Sequence, residues 1–397
     1  MIERHLAKEL AILVDEYPVV TVLGPRQAGK TTLVRHQLPD YGYVNLELPD
    51  VRAFAHEDPR GFLAEHPSPV ILDEIQRVPE LLSYLQADVD AKGGNGRFVL
   101  TGSHQLELRA AISQSLAGRT ALLTLYPLSI AELAGAGIRA DSFAECLLQG
   151  FLPRIHDTGR RAGTAYANYY RTYVERDVSQ LIRLKDAALF DKFMKLLAGR
   201  IGQLLNHRSL GNDVGVDGKT VKDWLSVLEA SFIVFRLPPY FENFGKRAIK
   251  SPKYYFTEPG LLAWLLGLRD AAQATRDPLI GNLFENVVVV EALKSRVNRG
   301  KSPDLYFFRD NHGLELDLLF RQDNVLTGIE VKSAATLHAR FKEGLLRFDT
   351  TATPIGRKLV VYDGPGRRWS DGVQAVGWRE IGSLLASSGT GETTGRP

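Results

Sequence analysis

One short string narrows the possible folds of this chain more than any other feature. Gly24-Pro25-Arg26-Gln27-Ala28-Gly29-Lys30-Thr31 fits G-x-x-x-x-G-K-[ST], and it lies between an apolar strand and a helix. Ahead of it runs Pro18-Val19-Val20-Thr21-Val22-Leu23, β-branched and apolar; behind it Thr32-Leu33-Val34-Arg35-His36 continues as a helix. Gly24 and Gly29 let successive backbone N–H groups turn inward around phosphates. Lys30 is then expected to reach the β and γ oxygens, with Thr31 completing a Mg²⁺ shell and Thr32 beside it in the first helical turn. The competing reading is a glycine turn that matches by chance.

A second motif stands at a fitting distance. Pro69-Val70-Ile71-Leu72-Asp73-Glu74 reads as a buried parallel strand ending in two carboxylates, and ligands of open α/β sheets bind at the carboxyl ends of strands. Asp73 is the expected Mg²⁺ ligand and Glu74 the group that orients or deprotonates water. A third strand, Arg97 to His104, carries Thr101 and Ser103 as candidate contacts to the γ-phosphate or the attacking water. In Ser115-Leu116-Ala117-Gly118-Arg119 the arginine is a candidate finger or sensor, since guanidinium spreads its charge over several donors. A solvated arginine is the plain alternative.

At 397 residues the chain exceeds what one core usually serves, so two to four domains are expected. A formal charge of +3 leaves nucleic-acid binding to local clustering rather than to the total. The single cysteine, Cys146, excludes an internal disulfide and any cysteine-rich zinc site. The first residues mix acid and base, and no apolar run approaches the ~20 residues of a spanning helix, so a cytoplasmic protein without membrane contact is expected. The small polar stretch at the end reads as a disordered tail.

Past the first third the pattern turns helical. Tyr166 to Leu184, with Tyr169, Tyr170 and Tyr173 among charged residues, reads as a half-buried helix held by ion pairs. Next comes the outline of a winged helix-turn-helix: a helix from Phe193 to about Leu205, a short one around Leu210, a turn at Gly215-Val216-Asp217, and a helix Gly218 to Leu228 capped by Asp217. That last helix presents Lys219, Thr220 and Lys222 from its first turns, where a recognition helix would meet a major groove. The strand Ser231 to Arg236 and the basic run Lys246 to Lys253, with Lys246, Arg247 and Lys250, would form a phosphate-binding wing. Winged helices also serve as protein-interaction or lid modules.

The last third holds a second constellation. Strands Leu305 to Arg309, Leu314 to Phe320 and Gly328 to Lys332 follow one another, with a turn at Gln322-Asp323-Asn324. Period-two alternation puts Glu330 and Lys332 on one face, and hairpin pairing brings Asp317 beside them. Upstream, a helix offers Glu285. Glu285, Asp317 and Glu330 are the expected Mg²⁺ ligands, and Lys332 the group that positions or activates water against a phosphodiester. With a helix from Thr336 to Phe348 and a strand Lys358 to Tyr362, the order αβββαβ is that of restriction-endonuclease-like folds. Leu316 stands before Asp317 where a proline-aspartate pair is sometimes seen.

These pieces together carry a resemblance. GPRQAGKTTLV, VILDEIQRVPELL, LTGSHQLEL, SLAGR, YPLSIAEL, KSPKYYFTEPGL, GLELDLLF and GIEVKSA, in this order, resemble a bacterial and archaeal family of AAA-type ATPases with a winged helix and a nuclease-like carboxyl-terminal domain of unassigned function. The resemblance implies an α/β, P-loop NTPase (AAA-like) core with a parallel sheet in which Lys30, Thr31, Asp73 and Glu74 handle Mg²⁺ and ATP. His104 departs from it, since similar sequences tend to have Asn or Ser there. The expected division is an ATPase domain at 1–138, a helical connector at 139–190, a winged helix at 191–260, a PD-(D/E)XK nuclease-like domain at 261–385 and a tail at 386–397. The expected activity is ATP hydrolysis coupled to a Mg²⁺-dependent site acting on nucleic acid, DNA before RNA, with oligomers open. The alternative is a regulatory ATPase switch that binds DNA or a protein partner and cuts nothing. A small-molecule kinase would need an acceptor-binding segment that is not recognisable between the motifs.

Overall fold

The computed structural model describes residues 1–103, 112, 115–178, 187–240, 251–322, 324–351 and 354–386. The apolar runs before Gly24, Asp73 and His104 form the middle of an all-parallel sheet. Its strands are β1 (Val19–Leu23), β2 (Gly42–Asn45), β3 (Val70–Asp73), β4 (Phe98–Gly102) and β5 (Thr120–Thr124), in the order β2-β3-β4-β1-β5. Every residue of β1, β3 and β4 is buried, as covering on both faces demands. Val20, Val22, Ile71 and Val99 share a core with Leu10 and Val14 of the helix Leu6–Glu16 and with Leu33 and Val34 of the helix Lys30–Gln37. The other face, with Val19, Leu23, Leu72 and Leu100, joins a core that includes Leu81, Leu82 and Leu85 of the helix Leu81–Lys92. Placing β4 between β1 and β3 sets Thr101 midway between the loop after β1 and the carboxylates after β3.

The connecting helices bury more than their sequence suggests. Ala162–Tyr169 runs on as a π-helix, Tyr170–Val178, and Tyr166, Tyr169, Tyr170 and Tyr173 are all buried. Helices Ala187–Ala198, His207–Val214 and Gly218–Ala230 then precede an antiparallel pair, β6 (Val234–Leu237) and β7 (Lys253–Phe256). The first of the three stops at Ala198, short of Leu205, because Gly199 opens the turn and Gly202 follows at φ +68. Asp217 caps the third by accepting the Thr220 N–H at 2.6 Å. His104, Lys246, Arg247, Lys250 and Asp323 lie outside the described residues, as do 179–186 and the tail from 387.

The last third builds a mixed sheet from β8 (Leu305–Arg309), β9 (Glu315–Gln322), β10 (Val325–Lys332), β11 (Arg357–Tyr362), β12 (Arg367–Arg368) and β13 (Gln374–Gly377), ordered β12-β13-β11-β10-β9-β8. β8, β9 and β10 are antiparallel neighbours, and β11 joins β10 in parallel. Leu318 and Ile329 share a core with the long helix Ile280–Val297, while Leu316, Leu319 and Val360 face Leu345 and Phe348 of the helix Glu343–Thr351. Among the described residues no helix is long and apolar enough to cross a membrane.

Candidate functional site

The glycine-rich loop closes tightly between β1 and its helix. Gly24 sits at φ +151, where an added Cβ would come 2.1 Å from the Leu125 carbonyl oxygen, and Gly29 at φ +93 starts the helix. Lys30 is buried, its ammonium donating to the carbonyls of Gly24 and Pro25 at 3.0 Å each. Burial draws that ammonium below the usual lysine range, against the pull of Glu74 and Asp73. A lysine folded back on its own loop is a donor held ready for phosphate oxygens.

Asp73, at the end of β3, gathers three hydroxyls. Thr31 Oγ1 lies 3.0 Å from each of its oxygens, Tyr43 donates at 2.8 Å, and Thr101 donates to Oδ1. Thr101 also accepts the Glu74 N–H at 3.1 Å and is fully buried. It therefore seats the two acids in this structure. Ser103 likewise turns to Glu74, donating to Oε2 at 3.1 Å. Gln76 donates to the same oxygen, and among the described residues its own Oε1 is buried without a partner. Glu74 occupies the left-handed region at φ +59, a conformation that costs about 1–3 kcal/mol and is retained where it aims a functional group. Burial pushes its carboxyl up, but Lys30, Gln76, Arg26 and Ser103 outweigh that and hold it below the usual carboxylate range, hence ionised near neutrality.

A cavity of about 870 Å³ opens in front of these groups, lined by Lys30, Thr31, Thr32 and Glu74 together with the first residues of the chain, Arg154 and Tyr173. Arg4 was not legible as part of this site. It is buried and donates to the Ala28 carbonyl of the loop and to the Tyr126 carbonyl at 2.6 Å each, and it pairs with Glu132 at 3.1 Å.

Arg119 stands away from the site of its own chain. The Val19 N–H donates to its carbonyl at the amino end of β1, whereas the loop leaves the carboxyl end. A five-residue strand puts about 16 Å between those ends. Its guanidinium grips Asp90 at 2.6 and 2.9 Å on the exposed surface, so it does not serve the site of its own chain.

In the middle of the chain, Lys219 and Lys222 stand exposed and Thr220 half-buried on the helix behind Asp217. Lys222 also borders a groove of about 580 Å³ with His207, Arg208 and Arg236. Burial and the two cations Lys222 and Arg236 hold the His207 imidazole below its usual range.

The acids of the last third do approach one another. Asp317 Oδ2 accepts the Val331 N–H at 2.8 Å, and Lys332 lies 2.6 Å from Glu330 Oε1. Burial, with Asp317 nearby, pushes Glu330 up to about 8; burial also raises Glu285, to about 7, against the pull of Lys253. Lys253 corrects the reading of the wing. It is 3% exposed and faces inward from β7, 3.0 Å from Glu285 and 2.9 Å from Glu315, and Tyr255 donates to the same Glu285 oxygen. Among the described residues no three carboxylate, imidazole or thiol side chains converge on a metal-sized point. The expected trio Glu285, Asp317 and Glu330 shares a field but not a centre.

Three known families match successive parts of the chain. A family described as "AAA domain" matches residues 16–134, and two described as domains of unknown function, DUF8612 and DUF4143, match 140–272 and 280–381. The uncharacterized protein Rv2008c of Mycobacterium tuberculosis is 32% identical over 380 residues, 94% of this chain and 83% of that one. An uncharacterized protein of Haemophilus influenzae is 24% identical over 278 residues, 66% of this chain and 64% of its own length. Among solved structures, the Walker-type ATPase PABY2304 of Pyrococcus abyssi aligns with 67% of this chain and 96% of its own, at 15% identity and a TM-score of 0.44.

Proposed function

The chain belongs to the family of the mycobacterial protein Rv2008c and carries an AAA-type ATPase domain, and from that premise we propose that it binds and hydrolyses Mg²⁺-ATP to switch the modules behind that domain. The observation that carries the proposal is that Lys30, Thr31 and Glu74 line one cavity, with Asp73 held 3.0 Å from the Thr31 hydroxyl behind them. The residues fit the ion: a hydroxyl and a carboxylate 3.0 Å apart are hard oxygen donors, so Thr31 and Asp73 would hold Mg²⁺, whose charge is then available to phosphate oxygens. Lys30 exchanges its loop carbonyls for the β and γ oxygens, and the loop N–H groups hold the phosphate chain. Glu74 turns from Gln76 and Ser103 to the attacking water and takes its proton as the γ-phosphoryl group leaves ADP.

The test is nucleotide binding and phosphate release by the full chain. Lys30→Ala is expected to lose both, while Glu74→Gln keeps binding and slows release by roughly 10²-fold or more. Hydrolysis at the native rate by Lys30→Ala would end the proposal. Arg119 enters only as a group offered to a neighbouring chain; Arg119→Ala should then matter more as protein concentration rises.

The helices Ala187–Ala198, His207–Val214 and Gly218–Ala230 with β6 and β7 have the order of a winged helix, and the exposed Lys219 and Lys222 and the groove of His207, Arg208 and Arg236 support contact with nucleic-acid phosphates. Lys246, Arg247 and Lys250 belong to the same proposal. For the last third two readings stand. A Mg²⁺-dependent nuclease is favoured by the restriction-endonuclease-like strand order and by Glu330 Oε2, buried without a partner among the described residues. A switch whose nuclease-like fold cuts nothing is favoured by Lys253 and Lys332, which already pair with Glu285 and Glu330. The second reading takes in more of the geometry, and the two part on whether a divalent ion binds through Asp317.

A further inference from the structure

The helix that carries Lys222 ends in a strained turn. Gly218–Ala230 closes with the N–H groups of Ser231, Phe232 and Ile233 donating to the carbonyls of Val227, Glu229 and Leu228 at 2.8, 3.1 and 2.9 Å. Phe232 holds φ +58, a conformation rare for a bulky side chain. Ser231 is fully buried, and among the described residues its Oγ has no partner. A turn kept only to end a helix is better made with glycine and without an orphaned hydroxyl. Strain of this kind persists where the surrounding structure holds it and a function uses it.

Two contacts hold the turn, and both lead to the phosphate-loop cavity. The Tyr173 hydroxyl donates to the Ser231 carbonyl at 2.8 Å, and Tyr173 borders the cavity with Thr172 from the π-helix Tyr170–Val178. Turns this wide are uncommon and gather at functional sites. The Phe232 ring meets the Tyr126 ring edge to face at 5.8 Å, and the Tyr126 carbonyl accepts from the same Arg4 that holds Ala28 of the loop. A nucleotide filling the cavity would restrain Thr172 and Tyr173 on one side and the loop on the other, and the two restraints meet at Ser231 and Phe232. We propose that this turn is the point through which nucleotide occupancy sets the helix Gly218–Ala230, with Tyr173 as the positioning residue. The groove of His207, Arg208, Lys222 and Arg236 is then held firm while nucleotide is bound and loosened when it leaves. The inference rests on nucleotide binding at the Lys30 cavity and on neither reading of the last third.

The test is hydrogen exchange of the full chain, read by mass spectrometry on peptides covering 218–233, with and without Mg²⁺ and β,γ-methylene ATP at a concentration that saturates the chain in use. In the native chain the nucleotide should slow exchange there by roughly fivefold or more. Tyr173→Phe keeps the ring and loses the bond to Ser231, so the slowing should vanish. A bond that served only the fold would shift exchange equally with and without nucleotide. Where circular dichroism shows Tyr173→Phe unfolded, Phe232→Leu, which keeps apolar bulk and loses the ring contact, is read in the same way. A native chain that binds the nucleotide with no slowing, or a folded variant that slows as the native chain does, would overturn the inference alone. A native chain that binds no nucleotide would overturn the ATPase reading and this inference with it.

Discussion

At the scale of single residues, the buried acids of the last third couple stability to pH in a direction opposite to that of ordinary ion-paired carboxylates. Glu330 is pushed up to about 8, chiefly by burial and then by Asp317, from an ordinary value of 4.5. Between those values the folded chain holds a proton that the unfolded chain has released, so this group's stabilisation is complete below about pH 4.5 and falls as pH rises toward 8. Glu330→Gln removes the titration. Relative to native protein it should differ little at pH 5 and be more stable at pH 8.5, by roughly 4 kcal/mol, read as a widening gap between melting temperatures. Native and variant gaps that stay equal across that range would refute it. The identity of these acids was legible from alternation along two strands, because period two fixes which residues share a face. Lys253 was not, since one basic residue at the end of a basic run carries no sign of facing inward; only the pairing of β7 with β6 turns it toward Glu285.

Elements show the same division between local and distant information. β1, β3 and β4 announce themselves as unbroken apolar runs because both their faces are covered, and the loop after β1 by the glycines its backbone needs. That need can be tested at Gly24. An alanine there would bring Cβ within 2.1 Å of a backbone oxygen of Leu125, at a φ that L residues rarely adopt, and neither partner is a flexible side chain. Gly24→Ala should lose nucleotide binding, by at least tenfold in Kd, while circular dichroism still shows the parallel sheet; fluorescent-nucleotide titration measures the first and a tight-binding alanine variant would contradict the argument. The order β2-β3-β4-β1-β5 was not legible, because it depends on which strand each crossover returns to. Arg119 looked close to the site in sequence, yet the chain sets it at the amino ends of the strands, opposite the loop. Arg4, 20 residues before Gly24 in sequence, lands against Ala28 for the converse reason.

On the scale of the whole molecule, one helix links the mixed sheet to the segment that follows the parallel sheet. Ile280–Val297 is 18 residues, about 27 Å of α-helix, with Glu285 in the acidic pocket near one end and Lys294 near the other. Lys294 is fully buried, donating to the Leu128 carbonyl at 2.7 Å and to Glu291 at 3.0 Å, and Glu291 accepts the Ile130 N–H at 2.8 Å. One turn further, Ser129 and Glu132 cap each other, and Glu132 meets the Arg4 that holds Ala28 of the phosphate loop. The contacts are continuous from loop to helix, so a change at the loop has a physical route to the last third, provided the junction stays charged and paired. Lys294→Met leaves Glu291 as an uncompensated buried carboxylate and should destabilise the chain by about 3–5 kcal/mol. Hydrogen exchange should then quicken in Ile130–Gly135 and Ile280–Val297 together, since Ile130 and Glu291 share one bond. The decisive comparison is the double variant. If Lys294 acts by balancing Glu291, then Lys294→Met with Glu291→Gln loses less than Lys294→Met alone; if it acts only by filling space, the two losses add.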